Sequence, residues 1–97
     1  MSIEAHHGRA LVEEAQLALE SVHRAALAAD AGNLRRGLDM ADSLLQQTAQ
    51  SSLGADADAA VAAVRADIAT ALADLESGAL TAMEPLIEAA RTKLAAV

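Results

Sequence analysis

The run LVEEAQLALESVHRAALAA, residues 11–29, decides how this 97-residue chain folds. On a helical wheel Leu11, Ala15, Ala18, Val22, Ala25 and Ala29 recur at steps of four and three, the spacing of a heptad seam. Val12, Leu19 and Ala26 form a second row beside the first, extended by Leu27. Glu13, Glu14, Glu20 and Arg24 gather on what remains. The apolar arc covers about half the circumference, where a surface helix needs only ~100°. A helix of this kind needs neighbours on two sides. The pattern predicts a helix over about 3–31, either central to a bundle or facing a second chain as well.

Outward from this stretch the chain reads as shorter helices. Ser2 and Glu4 suit a helix start, and Gly8 weakens the first turns by about 1 kcal/mol relative to Ala. Beyond the run, Asp30-Ala31-Gly32-Asn33 predicts a tight reversal, with Gly32 in the left-handed position and Asn33 capping the next helix. Leu34, Leu38, Ala41, Leu45 and Thr48 keep the four-three spacing, widened by Met40 and Leu44, and predict a helix over about 34–50. Gly37 lies inside it. The break from Ser51 to Asp56 is followed by acids at 56 and 58, favoured at a helix start. Val61, Val64, Ile68, Ala71 or Leu72, and Leu75 then mark a third helix over about 57–77. Ser77-Gly78 ends it, and Thr81 with Glu84 reads as a capping box for a last helix over about 82–97. Its seam is Met83, Ile87, Ala90, Leu94 and Val97, with Pro85 near its start. One long third helix kinked at Pro85 is the alternative.

No strand pattern competes, so the expectation is all-α: an antiparallel up-down four-helix bundle in a single domain, 1–97. Three helices with a kinked last one is the variant.

Composition bears on how such a bundle is held together. The chain has no Phe, Tyr or Trp, each of which would bury roughly 150–250 Å². Its core must come from Leu, Val, Ile, Met and much Ala, and alanine buries little area at roughly 25 cal/mol per Å². Self-association, as a dimer, is the expected remedy. Leu11, Val12, Leu19, Val22, His23 and Leu27 on the wide face of the first helix are the expected interface, with another protein chain as a possible occupant.

The net charge of −7 disfavours nucleic acid and anionic membrane surfaces, which need clustered Lys and Arg. With no cysteine, disulfides, thiolate metal sites and cysteine nucleophiles are excluded. No run approaches the ~18 apolar residues of a membrane span, and the N-terminus lacks the features of a signal peptide. A cytoplasmic protein without cofactors is expected. The six arginines to one lysine point to a GC-rich bacterial coding sequence.

Chemistry is sparse. Glu4–His7 and Glu20–His23 both have the Glu-x-x-His spacing used by carboxylate-bridged metal bundles. Both lie on one helix, about 24 Å apart at 1.5 Å per residue, so only an antiparallel pair of chains could join them. Metal binding at Glu4, His7, Glu20 and His23 is therefore the alternative reading. His23 also falls between Leu19 and Leu27 on the apolar side, a placement that admits a pH-sensing role. Asp56-Ala57-Asp58 opens like a calcium loop but has Val61 where Gly is required. No phosphate loop or nucleophile elbow appears. The expected function is a non-enzymatic protein-interaction module of the adaptor or chaperone kind.

Overall fold

A computed structural model describes residues 3–51 and 53–97, with the side chains of residues 3–7 and of Thr81 outside that description. Four helices follow in order: α1 Ile3–Leu27, α2 Ala31–Ser51, α3 Ala55–Glu76 and α4 Leu80–Ala95. There is no strand among the described residues. Each helix packs on its successor and α1 also packs on α4, whereas the backbones of the diagonal pairs α1/α3 and α2/α4 stay apart and share only the central core. The helices stand at the corners of a square in an up-down body of 44 × 18 × 18 Å. The all-α four-helix bundle is what the seams predict. α1 stands at a corner with α2 and α4 on its two sides, as its wide apolar arc requires.

The seams turn inward as the spacing requires. In α2 the buried residues are Leu34, Leu38, Ala41, Leu45 and Thr48; in α3 they are Val61, Val64, Ile68 and Ala71. From α4 come Met83, Ile87, Ala90 and Leu94, with Val97 half-buried against them. Thr48 is the one buried polar residue among those described, and its hydroxyl donates to the Leu44 carbonyl at 2.9 Å. Met40, expected to widen the α2 seam, is instead 59% exposed.

The close fit of α1 to α2 follows from small residues at their contact. A Cβ on Gly37 would collide with the Val22 side chain, and it would lie 3.6 Å from the Ala18 carbonyl. Gly37 looked like a weak point in a helix; its role is to let two backbones approach.

The reversal after α1 differs from expectation. The helix ends at Leu27, and Ala29 (not Gly32) takes the left-handed conformation, at φ 53°. The amide of Asp30 donates to the Ala25 carbonyl and that of Ala29 to the Ala26 carbonyl, at 2.9 and 3.1 Å, which is a Schellman closure. Asp30 then caps α2: its carboxylate accepts from the Asn33 amide at 3.2 Å and from the Asn33 side chain at 2.6 Å. Gly32 and Asn33 therefore lie within α2. Asp30 outcompetes Asn33 because it stands three residues before a free amide. The end of α3, at the stop that Ser77-Gly78 marks, has the same closure, with Gly78 at φ 79°. The last helix begins earlier than the Thr81–Glu84 pattern implies, with Ala79 at the cap position and no side-chain cap. Pro85 consequently sits inside α4, beyond its first turn. The possible cap at Ser2 lies outside the described residues.

Candidate functional site

The residues expected to form an interface separate into two groups. Leu11, Val12, Leu19 and Val22 are buried within the chain itself, Leu19 and Val22 completely. The wide apolar arc of α1 is covered on one flank by α2 and on the other by α4, so these four residues are not available to another chain. His23 is half-buried. Leu27 stays outside, 69% exposed.

A residue the seam pattern did not single out joins it: Leu17 is 66% exposed. Leu17, Glu20, Arg24 and Leu27 step by three, four and three, so they share one stripe on the side of α1 facing away from the core. The signal is present in the sequence as a further row with heptad spacing, opposite the seam. It is hidden because two of its four members are charged and the neighbouring rows are so rich in alanine. Within the stripe the Arg24 guanidinium donates to Glu20 at 2.7 Å, an i,i+4 ion pair with Arg24 well exposed.

An open groove runs beside this stripe between α1 and α4, with Leu17 and Gln16 on one wall and Arg91 and Ala95 on the other. Two of its three carboxylates are paired along their own helices, Glu88 with Arg91 at 3.3 Å and Glu20 with Arg24 at 2.7 Å. Across it Gln16 donates to the Leu94 carbonyl at 3.2 Å, near the end of α4. Nothing here pairs an acid with a base across the groove. The ion pairs that do cross between helices hold α3: Arg65 to Asp42 of α2 at 3.1 Å, Lys93 of α4 to Asp67 at 2.7 Å, and Arg35 of α2 to Glu76 at 3.4 Å.

The candidate metal ligands are not brought together by the described structure. Glu20 is engaged by Arg24, and no group of three His, Cys, Asp or Glu among the described residues has metal-binding geometry. The side chains of Glu4 and His7 lie outside the described residues. No helix among the described residues is long and apolar enough to cross a membrane. No known protein family, curated protein or solved structure matches the chain.

Proposed function

We propose that the protein is a non-enzymatic interaction module that associates with itself through the outward face of α1. The observation that carries this reading is the pair of leucines, Leu17 and Leu27, each two-thirds exposed on the one helix face that neither α2 nor α4 covers. Isolated apolar residues on a surface are ordinary; two on one stripe, bracketing an ion pair, form a surface with both an apolar and an electrostatic component. The alanine-rich core points the same way. Six of the nineteen buried apolar residues among those described are alanine, so further apolar burial between chains is a substantial addition to stability.

Sedimentation equilibrium over a concentration series tests the reading. The native chain should dimerise reversibly, and a Leu17→Ser/Leu27→Ser double variant should stay monomeric with unchanged helical circular dichroism. A native chain that is monomeric at all concentrations, or a double variant that associates as the native chain does, overturns it.

A further inference from the structure

The order of residues along the exposed stripe is self-complementary. Leu17, Glu20, Arg24 and Leu27 are placed symmetrically about Val22. If a second α1 lies antiparallel on this face with a twofold axis at the level of Val22, Leu17 meets the partner's Leu27, and Glu20 meets the partner's Arg24. The same contacts recur with the chains exchanged, as an isologous interface demands. These are also the pairings of an antiparallel heptad, in which the third and fourth steps alternate between facing layers. A parallel pairing would set Glu20 on Glu20 and Arg24 on Arg24. A shift by one heptad would set Leu27 against Arg24 in one direction, or Leu17 against Glu20 in the other.

We propose that the self-association face of α1 accepts a second copy of this chain in that one antiparallel register, Leu17 on Leu27 and Glu20 on Arg24, centred at Val22. The inference rests on the self-association reading above and adds to it the direction and register. The ion pair already present within each helix, at 2.7 Å, becomes half of a four-charge ring at the centre of the contact. The two leucine layers close the ring above and below, about 15 Å apart along the axis at 1.5 Å per residue. The Arg24 side chain is 72% exposed in the single chain; the partner's helix covers its stem while its head keeps two carboxylates in reach. With four layers the contact is small, so the dimer is weak and forms at high protein concentration.

Charge reversal separates register from association. Glu20→Arg alone, or Arg24→Glu alone, sets like charges across the axis, and each should weaken dimerisation by at least about tenfold. Mixing the two single variants should restore a heterodimer, and the double swap within one chain should restore the homodimer. Arg24 is exposed and Glu20 partly so, and thermal melting monitored in parallel should show each variant folded. Direction is read by disulfide trapping, which the cysteine-free chain allows. A Leu17→Cys chain mixed with a size-tagged Leu27→Cys chain should form the mixed disulfide in preference to either homodisulfide. A native chain monomeric up to about 1 mM overturns both the register and the self-association reading. A native chain that dimerises, with charge variants unaffected or with 17–17 and 27–27 disulfides preferred, overturns the register and leaves that reading standing.

Discussion

Ala29 carries a conformation that most residues avoid. Its left-handed φ of 53° closes α1, a position that glycine usually occupies and that strains a residue with a Cβ by about 1–2 kcal/mol. Ala29→Gly relieves that strain while loosening the unfolded chain, by about 0.4–1 kcal/mol. The net expectation is a small rise in melting temperature, read by differential scanning calorimetry; a fall of several degrees would show that the Cβ has a favourable contact. Gly37 has the opposite sensitivity. Gly37→Ala drives a methyl group into Val22 and should destabilise by about 1–3 kcal/mol. A Gly37→Ala/Val22→Ala double variant should lose less than the sum of the two single changes, because the second makes room for the first. Urea denaturation of the four proteins measures that coupling. Neither result is legible in the sequence: a glycine inside a helical pattern reads as a defect until its neighbour across the interface is known.

At the scale of elements, α2 and α4 show what periodicity can and cannot resolve. All five α2 positions on the four-three spacing are buried, including Thr48. Thr48→Val keeps the shape and removes a hydroxyl whose acceptor, the Leu44 carbonyl, also belongs to a helix; stability should be unchanged or slightly higher. Thr48→Ala opens a cavity and should be the worse change. Thermal melts of the two variants rank them. In α4 the break before the helix is legible from Gly78, and the Thr81–Glu84 capping pattern predicts a start at about residue 82. The helix begins at Leu80, and Pro85 removes an amide within it. Pro85→Ala, at an exposed site, should raise the melting temperature, by up to about 3 kcal/mol of helix stability.

Across the whole molecule, charge and packing act on different partners. The five ion pairs among the described residues are all partly exposed, and such pairs are individually worth about 0–1 kcal/mol. Against them stands the self-repulsion of a net charge of −7 on a body only 18 Å across. Screening this repulsion should outweigh screening of the pairs, so moving from about 10 mM to 0.5 M salt should raise the melting temperature. A fall over that range would show that the ion pairs dominate. The proposed self-association would add a second dependence, with the melting temperature rising with protein concentration.

The sequence alone determined the helices and which side of each faces inward, because a 3.6-residue repeat is local and needs no knowledge of the neighbour. It also determined which chemistries lack residues, since a chain without cysteine builds no thiolate site. Only the tertiary structure decided that Leu11, Val12, Leu19 and Val22 belong to the chain's own core. The width of an apolar arc says how much must be covered and nothing about what covers it; α2 and α4 do so here. By covering it, they left Leu17, Glu20, Arg24 and Leu27 as the face of α1 that no other described helix covers.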